Sequence, residues 1–305
     1  MEKTKIKEVV DRITGTQSGP ANERVKAIVD RMLLDLFIII EEFDVTPEEF
    51  WSALSYLTEV GRANEFGLLA PGLGIEHFLD LRQDEKEQAA GIEEGGTPRT
   101  IEGPLYVAGA PVCEGEARLD DGKDDGKILF MDGQVTDTKG NPIPGAVVEV
   151  WHADSHGNYS FFDASQSPFN LRRTIVTDGE GRYRFRSIMP SGYGCPPDGP
   201  TQRLLTLLGR HGQRPAHIHF FVSAPGFRTL TTQINIKGDK YTYDDFAFAT
   251  REGLIPDVAR HADEAALREK GVDRPFATIT FDFTLPHAVE GMPGTLVDRP
   301  RAQAA

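Results

Sequence analysis

This sequence is poor in thiols. Its two cysteines, Cys113 and Cys195, form no CxxC pair in 305 residues. A disulfide framework, a thiolate-rich zinc site and an iron–sulfur cluster are thereby excluded, and a reducing compartment is expected. Positive charge is also scarce: 33 Lys+Arg stand against 47 Asp+Glu, for a net charge of −14. Phosphate backbones require a basic footprint, so no nucleic-acid partner is expected. Long apolar runs are missing too. The strongest, Met32 to Ile40, contains Asp35 and falls well short of a bilayer span of roughly 20 residues. The N-terminal MEKTKIKEVVDRITGT has charges where a signal peptide needs an apolar stretch. The expectation is a cytoplasmic protein, not an integral membrane one, with one or two domains and ample core. Any metal it holds would be bound by nitrogen and oxygen.

What is present falls into two textures. Val25, Ile28, Val29, Met32, Leu33, Leu36, Phe37 and Ile40 recur on one face of a 3.6-period helix. Leu34, Ile38 and Ile39 lie off this stripe, so the apolar surface is wider than one core contact requires. Two readings stay open: a deeply buried helix, or one that also faces a second subunit or a lipid. A second helix is expected from Thr46. Thr46 caps it, Pro47 suits its first position, Glu49 closes a capping box, and Val45 and Phe50 are placed for a hydrophobic staple. Asp80 to Ala90 reads as a short charged helix.

After Gly91 the pattern changes. Gly95, Gly96, Pro98 and Gly103-Pro104 break the helix period. Short alternating runs follow at 128–135, 146–152, 173–177, 181–188, 217–223, 230–236 and 276–283, separated by turn signals. They predict an antiparallel sandwich. Between them, Thr201 to Gly209 reads as a short helix with Thr201 as cap. The fold class is therefore α+β, an antiparallel β-sandwich behind a helical front.

Of eight histidines, only His217-Ile218-His219 has a spacing that dictates geometry. On a strand, His217, His219 and Phe221 share one face, while Ile218, Phe220 and Val222 share the other. Two imidazoles in a covered place are costly unless hydrogen-bonded or liganded, so this pair suits a mononuclear metal or a pair at the core edge. His152 and Asp154, an H-x-D pair, are one source of further ligands, as in facial-triad iron sites. Tyrosine is the other source. Tyr193 lies in Pro190-Ser191-Gly192-Tyr193-Gly194-Cys195-Pro196-Pro197, a loop stiff enough to hold one side chain in a fixed direction. Tyr159 follows Gly157-Asn158. Arg214 could stabilise an anion beside a metal, and Gln233 could bond a substrate or the neighbouring backbone.

Four separated segments then fall in the order of one family. They are 97–106 (TPRTIEGPLY), 149–159 from Glu149-Val150-Trp151-His152 to Tyr159, 190–197 and 214–219 (RPAHIH). With Gly67 to Gly74 and Tyr241 to Ala247 they resemble the intradiol ring-cleaving dioxygenases, most closely the branch that acts on catechol. The resemblance covers nearly the whole chain. It implies one non-haem Fe(III) per subunit held by Tyr159, Tyr193, His217 and His219, with Tyr193 and His219 axial. His152 and Asp154 then become structural. It implies cleavage of catechol by O2 to cis,cis-muconate through activation of the substrate, as in the beta-ketoadipate pathway. Arg214 and Gln233 would assist, and Tyr193 would take a substrate proton. The ring slot would be Leu68, Pro71, Ile101, Pro104, Leu105, Phe246 and Ala247. The same chemistry on chlorocatechol or hydroxyquinol is the alternative, and a non-catalytic metal-binding sandwich a further one. The resemblance also assigns residues 1–105 to a helical dimerisation and linker domain and residues 106–305 to the catalytic domain. It implies a homodimer through the N-terminal helices, with an interface tunnel that can hold a phospholipid.

Overall fold

The computed structural model describes residues 1–15, 19–292 and 294–295, and the backbone of 302–303. The chain forms two compact units, Met1–Ala63 and Asn64–Ala305. The first is three helices: α1 (Lys3–Thr14), α2 (Glu23–Glu42) and α3 (Pro47–Arg62). Asn22 caps α2 by accepting the Val25 N–H at 3.0 Å. The capping box of α3 is present: Thr46 Oγ1 accepts the Glu49 N–H, and the Glu49 carboxylate accepts the Thr46 N–H. The α1 helix lies against α2, and its Ile6 and Val10 are buried. No residue of α2 itself is buried. Met32 is 64% exposed and Val25 55%, so the deeply buried reading of this helix fails for the single chain.

The second unit opens with α4 (Phe66–Gly72) and α5 (Ile75–Ala89). The strands β1 (Val107–Ala108), β2 (Val112–Glu114), β3 (Glu116–Arg118), β4 (Ile128–Asp137), β5 (Val147–His152), β6 (Arg172–Val176), β7 (Arg182–Ile188) and β8 (Tyr193–Gly194) follow. After α6 (Pro200–Leu207) come β9 (Gln213–Arg214), β10 (His217–Ser223), β11 (Leu230–Asn235), β12 (Ala259–His261) and α7 (Glu264–Lys270). The strands β13 (Phe276–Thr280), β14 (Phe283–Leu285) and β15 (Ala302–Gln303) complete the unit. Two sheets form the sandwich, ordered β11-β10-β5-β6-β2 and β12-β13-β4-β7-β3, with β14 also pairing β4. Their facing sides share one core. Met131, Val135, Tyr183 and Phe283 come from one sheet, and Val148, Ile175, Ile218 and Phe220 from the other.

Three expectations need correction. The sandwich is not wholly antiparallel: β2/β6, β3/β7, β4/β13 and β4/β14 are parallel. These partners are not joined by hairpins, and alternation along one strand says nothing about the direction of its neighbour. The run 276–283 is two strands, because the chain breaks step at Phe281-Asp282, where Phe281 O lies against Gly133. Thr201 does not cap α6. The N-cap is Gly199, and the side chain that accepts the Thr201 N–H, at 2.8 Å, is the remote carboxylate of Glu65.

Candidate metal centre

Strand β10 behaves as its alternation requires. Ile218, Phe220 and Val222 enter the inter-sheet core, and His217, His219 and Phe221 turn to the other face. Both histidines are 1% exposed. The ladder with β11 sets His217 opposite Asn235 and His219 opposite Gln233. The ladder with β5 sets His219 opposite Trp151, whose ring stacks on it at 4.9 Å and 5°. Tyr106, Trp151 and Phe221 pack on one another behind this stack. Tyr193 arrives from the short β8/β9 ladder, directly opposite Arg214. Tyr159 is 4% exposed, and its ring meets that of Tyr193 edge-on at 5.5 Å.

These side chains converge on a few ångströms of space. Tyr159 Oη and Tyr193 Oη lie 3.5 and 3.4 Å from His217 Nε2, and His219 Nε2 lies 3.1 Å from the same atom. His217 Nδ1 is 2.7 Å from Pro215 O, which can only accept. The proton is therefore on Nδ1, and Nε2 presents a lone pair to the cluster. His219 Nδ1 is buried without a partner among the described residues. Burial, then the Arg214 charge, pushes His217 down to about 3. Burial, then His217, holds His219 well below its ordinary value. Both rings are thus neutral, as metal ligands must be. Burial, then Tyr193, pushes the Tyr159 phenol well above its ordinary value, so only a strong cation would draw the phenolate from it. Two neutral imidazoles and two hard phenol oxygens in one buried spot suit a hard, highly charged ion such as Fe(III).

Arg214 closes the cluster. It is 4% exposed. Its Nη1 donates to His217 Nε2 at 3.0 Å and lies 3.5 Å from Tyr193 Oη; its Nη2 donates to Gln233 Oε1 at 2.6 Å. Gln233 in turn donates to Asn235 Oδ1 at 3.2 Å. The slot residues gather in part. Leu68, Ile101, Phe246 and Ala247 share one apolar cluster with Cys195 and Leu205. Leu105 instead joins the cluster of Trp151, Tyr159 and Tyr193. Pro71 is buried in α4. Pro104 is exposed and packs toward Gly67. Its neighbour Gly103 passes close to His219, since a Cβ there would sit 3.8 Å from His219 Cε1.

Other clusters do not compete. His152 has both ring nitrogens engaged, with Ala153 O at 2.6 Å and Ser187 Oγ at 2.7 Å. Asp124, Asp154 and His156 bring ligand atoms within 4.8 Å of one another. Their carboxylates, however, already accept the N–H groups of Gly126, Ser155, His156 and Asn158. Clefts of about 550, 610 and 660 Å³ elsewhere among the described residues contain none of the four donors. One partner went unread in the sequence: Asp245, whose carboxylate pairs with Arg214 at 3.1 Å. A buried arginine demands a counter-charge, and that demand was the available signal.

Residues 101–287 match the family described as Dioxygenase, and residues 22–91 the one described as Catechol dioxygenase N terminus. The chain belongs to the intradiol catechol dioxygenase family. It is 63% identical to catechol 1,2-dioxygenase 2 of Acinetobacter lwoffii over 85% of this chain and 94% of that one. It is 54% identical to catechol 1,2-dioxygenase of Acinetobacter baylyi over 94% of this chain and 93% of that one. The crystal structure of wild-type Acinetobacter radioresistens catechol 1,2-dioxygenase superposes with a TM-score of 0.95 at 56% identity, covering 100% of this chain and 99% of that one. Hydroxyquinol 1,2-dioxygenase from a Rhizobium species is more distant, at 36% identity over 87% of this chain and 89% of that one.

Proposed function

We propose that this chain cleaves catechol between its two hydroxyl-bearing carbons with O2, giving cis,cis-muconate with both oxygen atoms in the product. The observation that carries the reading is the convergence of Tyr159, Tyr193, His217 and His219 beside buried Arg214. These four residues would hold one Fe(III) per subunit. When bound, that ion lets catechol shed its protons at neutral pH and gives the ring carbanion-like character toward O2. Tyr193 Oη receives one of the substrate protons. The Arg214 guanidinium, 3.5 Å from Tyr193 Oη, stabilises negative charge that grows on the ring. Gln233 holds that guanidinium from the β11 side. Leu68, Pro71, Ile101, Pro104, Leu105, Phe246 and Ala247 receive the ring and exclude water. This wall offers no side-chain hydrogen bond to a third hydroxyl, so it favours catechol over hydroxyquinol. A ring chlorine would suit it better than a hydroxyl, and competition between catechol and chlorocatechols ranks the two. A sandwich without catalysis has no use for four polar donors gathered at such desolvation cost.

The helical front, residues 1–105, is assigned to dimerisation and linkage, and residues 106–305 to catalysis. The front still supplies slot residues Leu68, Pro71, Ile101, Pro104 and Leu105. The exposed apolar face of α2 supports a homodimer through this region, and the proposal extends to a phospholipid chain held at the contact. The described residues include no helix long and apolar enough to cross a membrane, and the proposed location is the cytoplasm. The decisive experiment is anaerobic titration of the iron-loaded protein with catechol, then admission of O2. Tyrosinate–Fe(III) charge transfer should colour the protein wine-red, and muconate should be the product. A hydroxymuconic semialdehyde, or a colourless protein with stoichiometric iron, would sink the reading.

A further inference from the structure

Asp245 belongs neither to the donor cluster nor to the ring slot, yet its side chain is only 1% exposed. Its Oδ1 accepts Arg214 Nε at 3.2 Å and the Ala247 N–H at 3.0 Å. Its Oδ2 accepts Arg214 Nη2 at 3.1 Å. The Ala247 N–H thus fixes the carboxylate, and the carboxylate grips one edge of the guanidinium at two points. A guanidinium is planar, so a two-point grip on Nε and Nη2 sets the direction of the remaining nitrogen. That nitrogen, Nη1, is the one beside His217 Nε2 and Tyr193 Oη. The single contact from Gln233 leaves rotation of the plane free and cannot do this alone.

We infer that Asp245 is the positioning residue for Arg214: its carboxylate locks the guanidinium plane so that Nη1 faces the metal donors and the substrate. The inference rests on the proposed role of Arg214 in ring cleavage. Asp245 also balances the arginine charge. An uncompensated guanidinium in this dry site would oppose a trivalent cation, whereas a paired one presents a directed donor with little net charge. Arg214 can therefore serve the substrate anion without driving out the ion that holds it.

The test is a double-mutant cycle of wild type, Asp245→Asn, Arg214→Ala and the double variant. The readouts are kcat and KM for catechol, iron content with its visible band, and the thermal midpoint of the metal-free protein. Asp245→Asn should lower kcat about 10- to 100-fold, with the band retained and KM changed much less. In the Arg214→Ala background it should lower kcat no further. The metal-free midpoint should fall with Asp245→Asn when Arg214 is present and should not fall once Arg214 is replaced, where the unpaired carboxylate is itself a cost. Multiplying losses in kcat, or a single Asp245→Asn variant with wild-type kcat, would overturn the inference. Normal kcat in iron-loaded Arg214→Ala would overturn the role of Arg214 instead, and the metal-free midpoints would still report on the Asp245 contact. If Asp245→Asn does not fold, Asp245→Glu takes its place in the cycle. It keeps the charge but shifts the fork by a methylene, and the same pattern is required of it.

Discussion

His217 shows how a single side chain can be committed before any ligand arrives. Its Nδ1 hydrogen goes to Pro215 O, so the lone pair that remains has one direction to face. Tyr193 is less constrained, being half-buried and near Arg214, which fits a phenol that exchanges a proton during turnover. Tyr193→Phe should keep the fold, lose part of the visible band and lower kcat at least about 100-fold. Iron content and the spectrum, measured with steady-state rates, check this. His152 makes a different prediction. Burial, ahead of every other influence, pushes it down to about 4. Below pH 6.5 the unfolded chain takes up a proton at this residue that the folded chain refuses. The stability contribution is therefore complete above pH 6.5 and is lost as pH falls toward 4, amounting to about 3 kcal/mol. Denaturation of the metal-free protein across that range should show a shallower slope for His152→Gln than for wild type.

At the scale of elements, the site depends on short pieces meeting at fixed registers. The two-residue ladder β8/β9 sets Tyr193 opposite Arg214, and β10/β11 sets His219 opposite Gln233. Gly157 makes room for this arrangement. Its φ is +89°, and a Cβ there would lie 2.9 Å from Gly192 O and 3.0 Å from Tyr193 Cβ. Gly157→Ala should cost about 1–3 kcal/mol and displace Tyr193, which a chelator-driven bleaching assay would read as faster iron loss. The strand that carries both histidines was legible because alternation is a local property, and β10 spans the residues its pattern marked. The α3 cap was legible for the same reason, since every partner lies within four residues. The cap of α6 was not, because Glu65 is far away in sequence. The same limit hid Asp245. The need of Arg214 for a counter-charge is local knowledge, but which acid meets it depends on how 241–247 folds back. The parallel pairings of β4 were hidden likewise, and only the family motifs brought Tyr159 and Tyr193 to the histidines ahead of the structure.

The whole molecule presents a surplus of acid and an uncovered apolar helix. The charge of −14 keeps copies apart at long range, although salt screens it over about 10 Å. Contact between copies would then rest on apolar area. Val25, Ile28, Val29, Met32 and Leu36 are all exposed in the single chain. A charge placed in this stripe should split a homodimer without touching the chemistry of the second compact unit. Met32→Glu should lower the mass measured by light scattering to that of one subunit, while the tyrosinate–iron colour persists. A mass that stays at two subunits would place the contact elsewhere, and an unsubstituted protein with the mass of one subunit would overturn the homodimer.

The stack of Trp151 on His219 makes the protein its own optical gauge. The chain has two tryptophans: Trp151 is sealed in the interior, and Trp51 is 65% exposed. Their emissions should separate, blue from the sealed indole and red from the wet one. A ferric ion seated against His219 would darken the blue component, so intrinsic fluorescence would report how much of a preparation is loaded.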